Sequence, residues 1–368
     1  MTYMAEPTTT VSENYPLTQI YFYMTDGCNL RCRHCWISPI YSDDGSTCKF
    51  LSFDLFKNIV HEAKPLGLTM VKLTGGEPLL HPQIGEILDF VRDEGLGLNI
   101  ETNGVLCTPE LVEKMAACKP VHVGVSLDGA NAETHEWVRG VDGCFDDAIQ
   151  GIKNIVKAGI RSQIIMTIMR KNVDELGDVI KLAEELGVYS LKLNIVQPTE
   201  RGEGMVERGE TLTIQELVDL GRRVNMEMSK ETKVKLIYTQ PTAFQPMSKM
   251  MGVGGGCSVC GIKNIIGVIP DGRYALCGIG ERVPEMVFGD ASKDRLEDIW
   301  NNSNIICQIR HGLPSKLEGV CGHCVMKKLC LGSCIAQNYY RTKSIWAPYW
   351  YCDDALKSGL FPKSRLIE

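Results

Sequence analysis

Cysteine is the residue that most constrains what this chain can fold into. The 368 residues include 16 cysteines, of which nine lie between Cys257 and Cys352 and three between Cys28 and Cys35. The N-terminal segment is polar and lacks a basic region followed by an apolar one, so we expect no secretory signal and a cytoplasmic location. Because structural disulfides are rare in a reducing compartment, the cysteines predict metal-binding or catalytic sites.

Composition excludes several other classes of protein. The chain is 44% hydrophobic and 23% charged with a net charge of −6, which is typical of a soluble globular protein. Charges of both signs are interspersed, so neither a nucleic acid nor an anionic membrane is an expected partner. No apolar run approaches the ~18 residues of a membrane span.

Strand-like and helix-like segments alternate between residues 17 and 235. Strands are predicted at 19–24, 69–74, 97–102, 121–126, 162–168 and 190–196, and helices at 53–66, 83–94, 109–117, 144–158, 173–186 and 213–230. Since each parallel strand is re-entered through a crossover helix, this alternation predicts an α/β fold with a parallel sheet. Six units are too few for a closed eight-stranded barrel, which favours a partial (β/α)6 TIM-like barrel with its chemistry at the C-terminal strand ends.

Three cysteines stand in the loop after the first predicted strand. Three residues separate Cys28 from Cys32, and two separate Cys32 from Cys35. Three thiolates at this spacing suit three irons of a [4Fe–4S] cluster and leave the fourth iron open to a substrate or cofactor. The alternatives are chance clustering and a zinc knuckle with His34 as a ligand, although one tight loop presents these groups poorly to a tetrahedral zinc.

The Cys-x3-Cys-x2-Cys loop resembles that of the radical S-adenosylmethionine (SAM) enzymes, and the resemblance extends over roughly residues 17–235. A Gly-Gly-Glu-Pro sequence follows the second predicted strand, where this family binds the amino group of SAM. Alone, such a tetrapeptide would indicate no more than a tight turn. The resemblance implies a catalytic cluster on Cys28, Cys32 and Cys35, and SAM contacts at Gly75, Gly76, Glu77 and Pro78.

Later strand ends carry further candidate SAM contacts. The resemblance implies that Ser126 contacts the carboxylate or ribose of SAM and that Asn103 and Asp128 lie nearby. Arg139 is a candidate partner for the SAM carboxylate, since a guanidinium suits bidentate pairing. Asn103 and Asp128 each directly precede a glycine, so the alternative interpretation is that they are ordinary turn residues.

The C-terminal third carries a longer cysteine pattern. Its spacings are Cys257-x2-Cys260-x16-Cys277, with four residues between Gly272 and Cys277, and then Cys321-x2-Cys324-x5-Cys330-x3-Cys334-x17-Cys352. This pattern resembles the SPASM extension of radical SAM enzymes over about residues 255–355. Eight cysteines suffice for two fully ligated [4Fe–4S] clusters.

The resemblance implies that the ligands of these two auxiliary clusters interleave along the chain. One cluster is expected on Cys257, Cys260, Cys277 and Cys334, and the other on Cys321, Cys324, Cys330 and Cys352. Zinc is the alternative, although the five residues between Cys324 and Cys330 are far fewer than the ~15–20 that separate zinc-ribbon knuckles.

The segments around these cysteines also carry predictions. Residues 265–269 and 273–276, joined by Pro-Asp-Gly, predict a hairpin that places Cys277 beside the first auxiliary cluster. The cysteines outside both groups are predicted to be small buried hydrophobes, with an active-site position as the alternative for Cys48. They are Cys48, Cys107, Cys118, Cys144 and Cys307.

These assignments divide the chain into five parts. They are a disordered tail at 1–16, the radical SAM partial barrel at 17–235, a linker at 236–254, a small Cys-rich SPASM domain with a hairpin and short helices at 255–355, and a C-terminal tail at 356–368.

The resemblance implies an enzyme that cleaves SAM reductively to a 5′-deoxyadenosyl radical, which abstracts hydrogen from its substrate. It implies three [4Fe–4S] clusters and SAM as cofactors, and a low-potential electron donor such as a flavodoxin or ferredoxin. SPASM-containing relatives mostly modify peptides, so we expect a ribosomally made precursor peptide as substrate. Gly278 follows Cys277 where sulfatase maturases usually carry an acidic residue, which disfavours that activity.

Two other functions stay open at this point. One is maturation of a small cofactor precursor such as a tetrapyrrole, and the other is a non-enzymatic iron–sulfur electron carrier, which would have no use for the Gly-Gly-Glu-Pro turn. About 18 residues precede the first predicted strand, too few for an N-terminal leader-binding module. We therefore expect a separate small leader-peptide-binding protein as a partner.

Overall fold

The computed structural model describes residues 15–247 and 260–367. Cys257, nearly all of the predicted tail at 1–16 and the Gly/Met-rich part of the predicted linker lie outside the described residues. Across the two described ranges, no helix combines the length and the apolar character that a membrane crossing requires.

All six predicted strands are present and lie in one sheet. Within the described ranges the strands are β1 (Gln19–Tyr23), β2 (Gly27–Cys28), β3 (Ile40–Tyr41), β4 (Met70–Thr74), β5 (Gly97–Thr102), β6 (Val121–Ser126), β7 (Ser162–Ile168), β8 (Ser190–Ile195), β9 (Lys235–Tyr238), β10 (Ile265–Val268), β11 (Arg273–Ala275) and β12 (Val287–Asp290). The main sheet has the order β12-β11-β10-β1-β4-β5-β6-β7-β8-β9, parallel from β10 to β9. Because this order is linear, the barrel is partial, which confirms the predicted fold class.

Helices cover the outer face of the barrel and make up much of the C-terminal region. In the described residues they are α1 (Phe53–Ala63), α2 (Ile84–Asp93), α3 (Pro109–Ala117), α4 (Ala132–Arg139), α5 (Cys144–Lys157), α6 (Leu176–Glu185), α7 (Arg201–Glu207), α8 (Ile214–Arg223), α9 (Ser229–Glu231), α10 (Leu296–Asn302), α11 (Asn304–Gly312), α12 (Gly319–Gly322), α13 (Lys327–Cys330), α14 (Ile335–Thr342) and α15 (Trp350–Lys357). Several helices begin at a residue whose side chain caps the first turn, such as the capping box of Thr213 and Glu216 at α8.

Alternation along the strands separates an apolar outer face from a polar inner face. On β1, Ile20 and Phe22 are fully buried against the helices, and the Phe22 ring lies 4.4 Å from the Phe56 ring of α1. Neighbouring positions point to the opposite side of the sheet. On that side, Lys72 of β4 reaches Glu101 of β5 inside the barrel. The inner face therefore carries the chemistry.

The C-terminal region is attached to the barrel by strand pairing. Strand β10 pairs in parallel with β1, and the predicted hairpin is confirmed as the antiparallel pair β10 and β11. Strand β9 pairs with β8 and continues the sheet into the segment predicted as a linker. A second apolar core, including Ile262, Leu317, Val320 and Phe361, surrounds the C-terminal cysteines.

Candidate functional site

The loop that follows β1 is fixed from several sides. The Gly76 amide donates to the Thr25 carbonyl oxygen at 3.0 Å, and the Glu77 amide donates to that of Gly27 at 2.8 Å. On the other side, the Arg31 amide donates to the Arg139 carbonyl oxygen of α4 at 2.9 Å. These bonds hold the loop of Cys28, Cys32 and Cys35 at the C-terminal ends of the strands.

The thiols of this loop fit an iron–sulfur cluster. Burial, with the neighbouring Cys32, raises the pKa of Cys28 well above its usual value and that of Cys35 to about 11. Close thiols with raised pKa values hold protons that metal binding displaces. The Leu30 amide lies 3.4 Å from Cys28 Sγ and Arg139 Nη1 lies 3.4 Å from Cys32 Sγ, so donors for cluster thiolates are in place.

The turn of Gly75 and Gly76 is tight because the cluster loop packs against it. Gly75 has a φ of +120°, a conformation that side chains disfavour. A Cβ atom on Gly76 would lie 1.7 Å from the Gly27 carbonyl oxygen. The two glycines are therefore required by the close approach of the turn to the cluster loop.

The Glu77 carboxylate is buried behind this turn. Oε1 accepts hydrogen bonds from the Leu79 amide at 3.1 Å and from Thr102 Oγ1 at 2.7 Å, and Oε2 accepts one from the Asn103 amide at 2.8 Å. Burial raises the pKa of this carboxyl, although the same donors stabilise its charge. A carboxylate has about four acceptor positions, so one on Oε2 is left for a ligand. Pro78, next in the turn, is itself buried.

Arg139 and Asp128 form a buried ion pair beside the cluster loop. Arg139 Nη2 lies 2.6 Å from Asp128 Oδ2, and His34 Nε2 lies 3.2 Å from the same oxygen. Burial opposes the charge on Asp128, yet Arg139 and His34 hold its pKa well below the usual range. His34 is thus engaged with Asp128, and Arg139 keeps only its Nε without a partner in the described part of the chain.

Asp128→Asn should lower the free energy of unfolding by about 3–5 kcal/mol, because breaking a buried ion pair leaves Arg139 uncompensated. Anaerobic urea unfolding measures the loss. The control is Asp178→Asn, which breaks a pair with Lys181 whose side chains are 64% and 73% exposed, and we expect less than about 0.5 kcal/mol there. Equal losses in the two variants would contradict a stabilising role for the buried pair.

The cluster loop and the strand ends enclose a cleft of about 180 Å³. The predicted site residues that line it are Cys28, Cys32, Cys35, Gly75, Gly76, Glu77, Asn103, Ser126 and Arg139. Asp128 and Pro78 stand behind this lining. Asn103 also ties the cleft to the loop, because its Nδ2 donates to Asn29 Oδ1 at 2.7 Å.

Several cleft residues were missed from the sequence. Glu101, Thr167 and Asn194 line the cleft from the ends of β5, β7 and β8. The sequence feature that could have identified them is a polar residue on the inner face of a predicted strand. Arg201 lines it from α7, which was not predicted. Its Nη1 donates to the Cys32 carbonyl oxygen at 3.1 Å and its Nη2 to that of Pro39 at 3.3 Å, so it fixes the cluster loop from the C-terminal side.

The described members of the first auxiliary set lie together. Burial, followed by the nearby Cys334, raises the pKa of Cys277 to about 12 and raises that of Cys260 as well. The predicted fourth member, Cys257, is outside the described residues. The structure therefore brings together Cys260, Cys277 and Cys334 from three separate stretches of sequence.

The second auxiliary set lines a small apolar cavity, whose cysteines are Cys321, Cys324, Cys330 and Cys352. Cys321 and Cys352 share a hydrogen bond that lowers the pKa of Cys321 and raises that of Cys352. Backbone amides of Tyr349 and Met326 lie 3.4 Å from Cys321 Sγ and Cys324 Sγ. Converging thiols with amide donors and apolar walls fit a buried cluster.

The other cysteines are structural in their surroundings. Cys107, Cys118 and Cys144 are almost completely buried, as predicted. Cys48 is half-buried against the cluster loop, where a Cβ atom on Gly27 would lie 1.8 Å from its Sγ. Cys307 is also half-buried.

Two family models and several curated relatives match this chain. Residues 22–183 match the Radical SAM superfamily, and residues 257–325 match SPASM, an iron-sulfur cluster-binding domain. An AdoMet-dependent heme synthase of Methanosarcina barkeri is 31% identical over 89% of this chain and 94% of its own length. The mycofactocin maturase MftC of Mycobacterium tuberculosis is 28% identical over 86% of this chain and 78% of its own.

A solved structure shares the fold. Streptococcus suis SuiB bound to the precursor peptide SuiA superposes with a TM-score of 0.70 over 92% of this chain and 76% of that one, at 17% identity. The partial barrel, the three-cysteine loop and the auxiliary cysteines define an enzyme built on iron–sulfur clusters and SAM. The chain belongs to the radical SAM enzymes that carry a SPASM domain.

The cofactors of this enzyme are three [4Fe–4S] clusters and SAM. When bound, they supply a radical that removes hydrogen from a substrate C–H bond. The protein's own residues hold the cluster loop, through Arg139, Arg201 and the Gly75–Gly76 turn, and line the cleft beside it.

Proposed function

We propose that the enzyme modifies a ribosomally made precursor peptide by cross-linking, excision or a similar reaction. The observation that carries this proposal is a groove of about 550 Å³ that lies beside the cleft, with Ile195 lining both. The groove runs between the barrel and the C-terminal helices. A cleft with a longer groove beside it suits an extended chain better than a compact molecule.

The groove walls are mostly apolar. They include Ile195, Val206, Leu212, Ile214, Leu217 and Trp350. Arg341 stands at one side of the groove and can meet polar peptide groups. Apolar walls with a few polar groups at the margin are typical of sites that bind through burial and orient through hydrogen bonds. The mycofactocin maturase relative and the SuiB–SuiA complex support a peptide substrate.

The following residue roles belong to the same proposal. Cys28, Cys32 and Cys35 hold the catalytic cluster, and Cys257 completes the first auxiliary set. Around SAM we assign the amino group to the Gly75–Pro78 turn and to the remaining acceptor of Glu77, and the carboxylate to Ser126 and Arg139 Nε. Asn103 shapes the cleft beside them, and Asp128 acts through Arg139 by holding its guanidinium.

The wider arrangement belongs to the same proposal. Residues 17–235 form the barrel unit and 255–355 the auxiliary-cluster unit, although β9 and β10 extend one sheet across both. A small leader-peptide-binding protein and a low-potential flavodoxin or ferredoxin are the proposed partners, in the cytoplasm.

Leu212→Glu should raise the KM for the precursor peptide about tenfold or more, because it places a charge on the apolar groove wall. Leu356→Glu is the control, since Leu356 is 40% exposed on α15 and does not line the groove. Peptide modification is followed by mass spectrometry over a range of peptide concentrations. Equal KM values for the two variants would place the peptide elsewhere.

Maturation of a tetrapyrrole is the second candidate function. The heme synthase relative favours it, because that protein is 31% identical and aligns over 94% of its length. The test uses the reconstituted enzyme with SAM and a reductant, and offers either the small peptides encoded beside the gene or an iron tetrapyrrole with propionate side chains. A mass change in a peptide, with 5′-deoxyadenosine formed in proportion, supports the first function. Turnover of the tetrapyrrole alone would replace it with the second.

A further inference from the structure

Three charged side chains project into the barrel below the SAM site. Lys72 of β4 lies with its Nζ 2.8 Å from Glu101 Oε2, and Lys192 of β8 reaches from the far wall to within 3.9 Å of Glu101 Oε1. They lie deep in the molecule, yet 34% of the Glu101 side chain and 27% of the Lys192 side chain stay accessible. They therefore face the cavity and are not sealed in the core.

The charges of this cluster do not balance. Lys72 and Lys192 together lower the pKa of Glu101 to about 2 against the effect of burial, so Glu101 is ionised. Lys72 is close enough to Cys260 and Cys277 to stabilise their thiolates as well. Its charge is thus shared between Glu101 and the first auxiliary set.

Lys192 is the ammonium group with the least compensation. At 3.9 Å its contact with Glu101 is too long for a hydrogen bond, and no other acceptor for its Nζ is found among residues 15–247 and 260–367. Burial is the main reason that the pKa of Lys192 is lowered. A buried ammonium that serves only the fold is normally paired and hydrogen-bonded.

Neighbouring polar groups are also without partners. Asn99 stands in register with Lys72 on one side and with His122 on the other. Asn99 Oδ1 and His122 Nδ1 are buried and have no hydrogen-bond partner in the described part of the chain. Burial lowers the pKa of His122, so its ring is a neutral group that can donate or accept.

The cluster borders the reaction cleft through Glu101. Glu101 lines that cleft, and so does Asn194, two residues beyond Lys192 on the same face of β8. Gly124 of β6 lies between the two walls, where a Cβ atom would be 2.8 Å from the Ile165 side chain and 3.7 Å from Glu101 Cγ. The missing side chain makes room for the Ile165 side chain beside Glu101.

We propose that Lys192, which lies beside Glu101, binds a carboxylate of the substrate at the floor of the barrel cleft. This inference rests on the proposed function only in taking the cleft as the substrate site. The carboxylate can belong to a peptide, as its C-terminus or an acidic side chain, or to a tetrapyrrole propionate. A carboxylate would accept hydrogen bonds from the free N–H groups of Lys192 and would supply the missing negative charge.

The test uses 3-phenylpropanoate and its amide as probes, with the holoenzyme that holds its clusters and SAM. Ligand-observed NMR measures binding of each. We expect the acid to bind about tenfold or more tightly than the amide, since one partner in the contact is charged. Equal binding of the acid and the amide by the unaltered enzyme would overturn the proposal without any variant.

Variants separate recognition from a purely structural role. Lys192→Met should remove the preference for the acid, and Lys192→Arg should keep it. Glu101→Gln should strengthen binding of the acid, because it removes the competing carboxylate, whereas a structural role predicts a loss in that variant. Lys181→Met is the control, since its side chain is 73% exposed, and it should leave the preference unchanged. Weaker binding of the acid by Glu101→Gln with full iron content would overturn the proposal.

Substrate analogues distinguish the sources of the carboxylate. A precursor peptide with a C-terminal amide, the same peptide with its acidic side chains changed to amides, and a tetrapyrrole methyl ester each remove one source. The analogue that loses turnover identifies the group that Lys192 binds. If a peptide is modified equally well in all its forms, the inference fails while the peptide function stands. If the probes show the acid preference but no peptide is modified, the peptide function fails while the carboxylate site stands.

Discussion

Replacing Cys28, Cys32 and Cys35 together by alanine should abolish SAM cleavage and lower the iron content of the anaerobically reconstituted protein from about twelve atoms to about eight. These thiols lie in one loop, Cys28 and Cys32 are buried, and Cys35 is close enough to Cys32 for their charges to interact. Iron and sulfide analysis and an assay for 5′-deoxyadenosine measure the two effects. The auxiliary sets lie elsewhere in the fold, so they should keep their iron.

The matched control removes three cysteines from outside the cluster sets. Cys48, Cys107 and Cys118 replaced together by alanine should leave about twelve irons, with some loss of stability from the two that are fully buried. Stoichiometric zinc, with iron near four in the unaltered protein, would contradict the assignment of three iron–sulfur clusters.

Local sequence patterns were sufficient to predict most of the strands and helices of the barrel. Each predicted strand of the barrel contains an apolar run with turn residues at its ends, and glycines mark the helix ends. Cysteine spacing predicted which of the described cysteines come together, because each set is built from short loops. Even the interleaving of Cys334 with Cys260 and Cys277, taken from the family resemblance, agrees with the contacts in the structure.

Long-range pairing accounts for what the sequence did not reveal. Strand β10 pairs with β1 across some 246 positions, and no local pattern records that partnership. Lys72, Glu101 and Lys192 are polar residues alternating with apolar ones, a pattern that also describes strands with one solvent-exposed face. Only the curvature of the sheet brings the three onto one inner surface. The pairing of Asp128 with Arg139 also has no local sequence pattern. The sequence presents each residue separately as a candidate ligand of SAM.

The inner surface of the barrel explains how these parts work together. The outer face of each strand is apolar and packs against helices, so it supplies most of the hydrophobic stabilisation of the barrel. The inner face is therefore free to carry charged groups at some cost in stability. Glu77 and Asp128 are held by several donors each, whereas Lys192 is left with capacity to bind.

Gly76→Ala should reduce SAM cleavage about 100-fold or more, because the turn and the cluster loop cannot keep their present separation. The new Cβ would lie 1.7 Å from the Gly27 carbonyl oxygen, and both partners in this clash are backbone atoms. The loop must therefore move by an ångström or more, and a displacement of about 1 Å at a reacting centre can cost about 100-fold in rate. Anaerobic single-turnover assays of 5′-deoxyadenosine formation measure the loss.

Gly85→Ala provides the control for this change. Gly85 lies in α2, and the nearest atom to its new Cβ would be Lys114 Cε at 3.6 Å, which is ordinary contact. Gly85 is the second residue of α2, so alanine there should gain less than the about 0.5–1 kcal/mol expected in a helix interior, and this variant should be fully active. Wild-type rates in Gly76→Ala would show that the turn tolerates displacement, and the SAM amino group would then be held by side chains such as Glu77 rather than by the backbone of the turn.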